Sequence, residues 1–186
     1  MILLGGSLLG SSNAIIAALA DIESLGPLVV IAAAAFISTA ALWWIYFWPP
    51  HHEAIQGLGS SIRYGYVHYF VFAAAGALSS GIEVEIGVLT GQAVLDGVSA
   101  SFTVAVPVAV FVLGIWWIAL KANADRVVNT VVPLGALVVL LDPVIPNPYN
   151  LIATAGVLAL MVAVLELRPP VDRSTGLRPG ASGSAS

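Results

Sequence analysis

Long apolar runs alternate along the chain with short polar joints, and six runs stand out: residues 2–20, 27–47, 64–82, 102–120, 127–144 and 149–167. A helix needs about 20 apolar residues to cross about 30 Å of hydrocarbon. The first four runs reach that length outright. The last two have apolar cores of only 127–141 and 151–165, so they take in flanking residues or lie where the bilayer is thin. The joints carry helix-ending residues. Asp21-Ile22-Glu23-Ser24 closes the first run and Pro49-Pro50 the second, Lys121 and Asp125-Arg126 part the fourth from the fifth, and Asp142-Pro143, Pro146 and Pro148 part the fifth from the sixth. The pattern predicts an all-α, polytopic transmembrane helical bundle with six spans over residues 1–168. A Pro-, Gly- and Ser-rich stretch, 169–186, buries nothing and is expected to be a disordered cytoplasmic tail.

Basic residues orient the bundle, because cytoplasmic loops carry an excess of Lys and Arg. If all six runs cross, Arg63, Lys121, Arg126, Arg168, Arg173 and Arg178, the 6 Lys and Arg of the chain, share one side. If the fifth failed to cross, they would split evenly. Six spans with both termini cytoplasmic is therefore the expected topology, in the inner or plasma membrane. Trp43, Trp44, Trp48, Trp116 and Trp117, all 5 tryptophans, fall at the same ends and are joined by Tyr46, Tyr64 and Tyr66. Indole and phenol rings favour the headgroup level, so these residues read as an aromatic belt. A secretory signal peptide ending at Ala18-Leu19-Ala20 competes for the first run, but it lacks a basic leading region.

Composition narrows the function. With 59% hydrophobic and only 9% charged residues, the chain cannot coat a water-facing globule. The lipid bilayer is the expected partner. A net charge of -4 and the absence of any Lys/Arg cluster exclude nucleic acid. Cys 0 removes disulfides and thiolate chemistry. No nucleophile elbow, zinc-protease, phosphate-loop or dinucleotide motif is present, so no enzyme activity and no cofactor is expected.

The third run carries most of the polar chemistry. Tyr64 and His68 are four residues apart on one helical face; Glu83 lies fifteen beyond His68, about 60° round and roughly 22 Å away. An ionisable group inside a span is a functional candidate by default, and His68 titrates near neutral pH in ordinary surroundings. Tyr64, His68 and Glu83 form the candidate polar path; the competing reading places them in the belt and in external water. Ala73, Ala77 and Gly81, or Gly76 and Ser80, stand four apart and favour close helix packing. Ser7, Ser11 and Asn13 give the first run a similar character, so runs one and three are expected inside the bundle. His51-His52-Glu53 invites a metal reading, but adjacent histidines project differently and a solvated loop is expected, with no metal site. Leu42-Trp43-Trp44-Ile45 and Ile115-Trp116-Trp117-Ile118 match as a short internal repeat or as two separate belt solutions. Pro107 and Pro133 lie inside runs, where they free backbone carbonyls.

Trp43, Trp44, Tyr46 and Phe47 in Ala41-Leu42-Trp43-Trp44-Ile45-Tyr46-Phe47, followed by Tyr64-x-x-x-His68 and Gly81-Ile82-Glu83, resemble the C-terminal half of the low-temperature-requirement A family of bacterial membrane proteins. Leu4-Gly5-Gly6-Ser7 resembles that family's Leu-Gly-Glu-Ser/Ala motif, with Gly6 in place of the acid, and Trp48 stands where an Asp commonly follows the aromatic string. The resemblance covers roughly residues 1–120. It implies an integral membrane protein named for growth in the cold, of about twice this length, so that a second copy or another membrane subunit completes the bundle. A transporter- or channel-like module and a non-transporting structural or interaction subunit, or a half-protein without activity of its own, are the two classes of function it leaves.

Overall fold

The computed structural model describes residue 16 and residues 25–49, 58–121 and 124–168, and all regular structure among them is helical. Five helices follow in order: α1 (Leu25–Phe47), α2 (Leu58–Leu89), α3 (Gly97–Ile115), α4 (Arg126–Leu141) and α5 (Tyr149–Leu167). A π-helical turn, Trp116–Leu120, continues α3, and a 3-10 turn, Asp142–Val144, continues α4. All five are long and apolar enough to cross a membrane, and they match the second to sixth runs. The first run apart from residue 16, the His51-His52-Glu53 loop and the tail at 169–186 lie outside the described residues.

Helix α2 is longer than the apolar run 64–82 on which it is built, beginning six residues earlier and ending seven later. Charged and polar residues such as Arg63, Glu83 and Glu85 interrupt an apolar run but are good or neutral helix formers, so the backbone hydrogen bonds continue through them. The turn that ends α2 is built on Gly91, whose φ of 70° suits a residue without Cβ. The carbonyl of Gly87 accepts from the N–H groups of Gln92 and Ala93 there, at 2.8 and 2.9 Å.

Short acidic caps start the next helices. Asp96 accepts from the Ser99 N–H at 3.2 Å at the head of α3, and Asp125 accepts from the Val128 N–H at 2.9 Å at the head of α4. Hydrogen bonding from the side chain and then the backbone of Ser99 holds the Asp96 carboxyl below the usual carboxylate range. The N–H of Lys121 reaches back five residues to the Trp116 carbonyl at 2.8 Å and closes the π-helical turn.

Helix α2 packs along α3, α1 along α5, and α4 bridges α3 and α5. The buried set includes Leu28, Ile31, Leu42 and Ile45 of α1, Val108 and Val112 of α3, and Leu158 and Leu165 of α5. The outward faces are apolar too, with Phe36 and Ile37 on α1 and Leu134, Leu137 and Val138 on α4 exposed. Helices apolar all round suit a hydrocarbon surround.

One crossing is closer than the rest. Pro107 has no N–H, so the carbonyl four residues earlier, Thr103, loses its helical partner. That carbonyl faces Gly81 of α2, where a Cβ would collide with Thr103 O and lie 2.8 Å from Thr103 C. Glycine thus lets the two backbones come together at the carbonyl that proline frees.

Candidate functional site

Hydrogen bonds between helix ends gather the polar side chains at two opposite ends of the bundle. At the tryptophan end, Trp44 Nε1 donates to Glu166 Oε1 at 2.7 Å and ties α1 to α5. Trp116 Nε1 donates to Asn129 Oδ1 at 3.0 Å, and the Asn129 amide donates to the carbonyls of Lys121 and Ala124. Arg168 pairs with Asp125 at 3.0 Å. Lys121 Nζ lies 4.6 Å from the Trp117 ring and 5.4 Å from Trp116, a cation–π contact. Every basic residue among those described (Arg63, Lys121, Arg126 and Arg168) belongs to this end.

Six of the sequence-read residues meet here. The Tyr46 hydroxyl lies 2.8 Å from His68 Nε2, a hydrogen bond whose direction follows the imidazole tautomer. Tyr64 stacks on the His68 ring at 4.6 Å, and Trp43 packs against Phe47 at 5.0 Å and Trp44 at 6.2 Å. Phe72 closes the other edge of His68 at 5.1 Å, leaving the imidazole 9% exposed.

Glu83 does not join them: it is exposed near the opposite end of α2. The buried stripe of α2 is His68, Val71, Ala75, Leu78, Ile82 and Glu85, spaced three and four apart. A 3.5-residue repeat drifts about 20° per heptad from ideal 3.6-residue geometry. Over the four turns beyond His68 this drift carries Glu83 off the stripe and brings Glu85 onto it.

Glu85 is 0% exposed and anchors the second polar end. Its Oε1 accepts from Asn150 Nδ2 at 2.8 Å, and its Oε2 accepts from Asn147 Nδ2. Asn150 Nδ2 also donates to Ser101 Oγ at 2.7 Å, and Ser101 donates to the Gly97 carbonyl at 2.9 Å. One turn along α5, Thr154 donates to Asp142 Oδ2 at 2.8 Å, with both side chains buried. The C-terminal part of α2, the N-terminal turns of α3 and α5 and the Asn147 loop thus converge on one carboxyl group whose donors are all neutral. Among the described residues no group of three or more His, Cys, Asp or Glu could hold a metal ion.

Glu85, Ser101, Asp142, Asn147, Asn150 and Thr154 escaped the sequence reading. The signal for Glu85 was present, since extending the three-and-four spacing of Val71, Ala75, Leu78 and Ile82 by one step lands on it. Asn147 lies in the joint beside Pro148 and Asn150 at the start of the sixth run, and neither carries a pattern of its own.

The family profile described as Bacterial low temperature requirement A protein (LtrA) matches residues 1–164. The match runs well past the stretch over which the motifs suggested a resemblance and takes in α4 and nearly all of α5. No curated protein and no solved structure matches the chain. The chain belongs to the low-temperature-requirement A family.

Proposed function

We propose that this multi-pass member of the low-temperature-requirement A family is a transporter- or channel-like module that handles a proton or small cation at Glu85. The observation that carries the reading is a fully buried carboxyl inside a membrane-length helix, held by two carboxamides. Polar groups are costly in a span and are retained where ions or protons move. Exposed Glu83 gathers cations at the outer mouth, and Tyr64 with His68 controls the cytoplasmic side. The reading carries six spans, both termini cytoplasmic and a location in the inner or plasma membrane; a second copy or another subunit completes the assembly.

Proteoliposome flux tests it. Glu85→Gln keeps the shape and one amide contact, and is expected to reduce proton or cation flux at least tenfold, with His68→Ala reducing it less. Flux unchanged by both substitutions, at normal membrane expression, removes the reading.

A structural reading has one observation in its favour. Between His68 and Glu85 the stripe is wholly apolar over roughly 25 Å, the rise of seventeen helical residues. No polar side chain of this stripe links the two ends, so each end can serve as a fastener between helices. Undiminished complementation of a cold-sensitive null by a Glu85→Gln, His68→Ala double substitution would favour it.

A further inference from the structure

Helix fastening leaves part of the Glu85 cluster unused. Asn147 and Asn150 both turn Nδ2 toward the carboxyl, and the Oδ1 of each is buried with no hydrogen-bond partner. Asn150 is only 3% exposed, and its unpartnered oxygen shares one carbon with the nitrogen that touches both Glu85 and Ser101. A buried carbonyl oxygen without a donor is disfavoured, and a network built only to join helices would satisfy it. A half-turn of each amide would bring these oxygens to the carboxyl in place of the nitrogens and make the set entirely oxygen: two carboxylate oxygens, two carboxamide oxygens and the Ser101 hydroxyl. Hard oxygen ligands suit alkali and alkaline-earth cations. Charge separates the two classes, because one carboxylate neutralises one positive charge, and a divalent ion would leave an excess charge in low-dielectric surroundings. The other buried carboxyl of this end, Asp142, is engaged by Thr154.

We propose that Glu85, Asn147, Asn150 and Ser101 form a binding site for one hard monovalent cation of the sodium class. The inference deepens the ion-handling reading above and rests on it for its place in a transport cycle. Amide groups make the site convertible. The terminal torsion of Asn is broad and nearly two-fold, so a half-turn exchanges Oδ1 and Nδ2 with little torsional cost. With the carboxylate alone, each amide offers it a proton donor. With a cation beside it, each offers an oxygen, and the cation takes the place of the donors in balancing the charge.

The test is thermal unfolding of the full chain in detergent, with sodium chloride compared with choline chloride at equal ionic strength. Wild type is expected to melt about 5–10 °C higher in sodium at about a hundred times Kd. Glu85→Gln removes the charge and is expected to lose that shift while remaining folded. Asn150→Asp separates a ligand from a mere donor, because an aspartate cannot donate to Glu85 but supplies oxygen in either orientation. As a ligand position it is expected to melt lower than wild type in choline and to recover in sodium, with a larger sodium shift than wild type. Equal melting of wild type in sodium and choline overturns the site. So does a sodium shift retained in Glu85→Gln, an Asn150→Asp protein that sodium does not rescue, or stabilisation by calcium in place of sodium. A sodium shift without flux upholds the site and removes transport, whereas flux without a sodium shift removes the site and leaves transport by protons.

Discussion

The two ends of the bundle use the same helices and hold their polar groups in opposite ways. At the tryptophan end, apart from the buried His68, the rings and charges are partly exposed: Trp43, Trp44 and Trp117 are open on one side, and Arg168 and Lys121 stand at the surface. Each can exchange its partner for water or a headgroup, so each contact is individually weak. At the carboxylate end, Glu85, Ser101, Asn150, Asp142 and Thr154 are all buried. A group there has no replacement partner when its own is lost. One end therefore fits a role in setting depth and orientation by many replaceable contacts, and the other keeps an ionisable group in a fixed shell.

The comparison breaks most visibly at Glu85. Glu85→Ala removes the shared acceptor of the two amides, leaving Asn150 with Ser101 and Asn147 with the main-chain carbonyl of residue 85, and the loss of two buried hydrogen bonds to a carboxyl is expected to cost about 2–4 kcal/mol of stability in detergent unfolding. A loss below about 1 kcal/mol would mean that the shell is hydrated or replaceable, and the two ends would cease to differ in kind. Next in size is a pair of glycines. Gly81→Ala forces its new methyl onto the Thr103 carbonyl, a backbone group that cannot swing aside, and is expected to destabilise by about 1–3 kcal/mol. Gly135→Ala meets the Met161 side chain, which has three rotatable bonds, so its cost should stay below about 1 kcal/mol.

At the tryptophan end, Tyr46→Phe deletes one hydrogen bond to His68 and is expected to cost about 0.5–1 kcal/mol, well below Glu85→Ala in the same assay. Topology sharpens the contrast without a stability change. The chain has no cysteine, so Val144→Cys and Lys121→Cys each add a unique label at an exposed position. Labelling of position 144 only from outside and of position 121 only from inside is the expected result, and labelling of both from one side would refute the crossing of α4.

Much of the fold was legible because it follows from counting. Apolar runs give spans, and the run at 149–167 and the helix α5 share the same limits. Helix α2 outgrew its run because a hydropathy reading stops at Arg63 and at Glu83, whereas backbone hydrogen bonding does not. The candidate site was legible at its aromatic end, where Tyr64, His68 and Tyr46 sit one helical turn or one helix contact apart. At the other end wheel arithmetic at 3.6 residues per turn points to Glu83 and leaves Glu85, two residues away, unmarked, because its offset from the buried stripe accumulates with distance along the span. Asn147, Asn150 and Ser101 come from three segments that only tertiary packing brings together, and no local pattern could have joined them.

The touching backbones at Gly81 and Thr103 lie about one turn from Glu85 and less than one from Ser101, toward the middle of the bundle. They act as a plug. With a Cβ at Gly81 excluded by the Thr103 carbonyl, the two main chains leave no seam between α2 and α3 at this level. Under the proposed ion-handling role, an ion at Glu85 bound for the other face would pass on the flank lined by α5, or wait until α2 and α3 part. A crosslink fixing α2 to α3 would then be compatible with passage by the first route and would block the second, which makes this pinch the place where the two itineraries can be told apart.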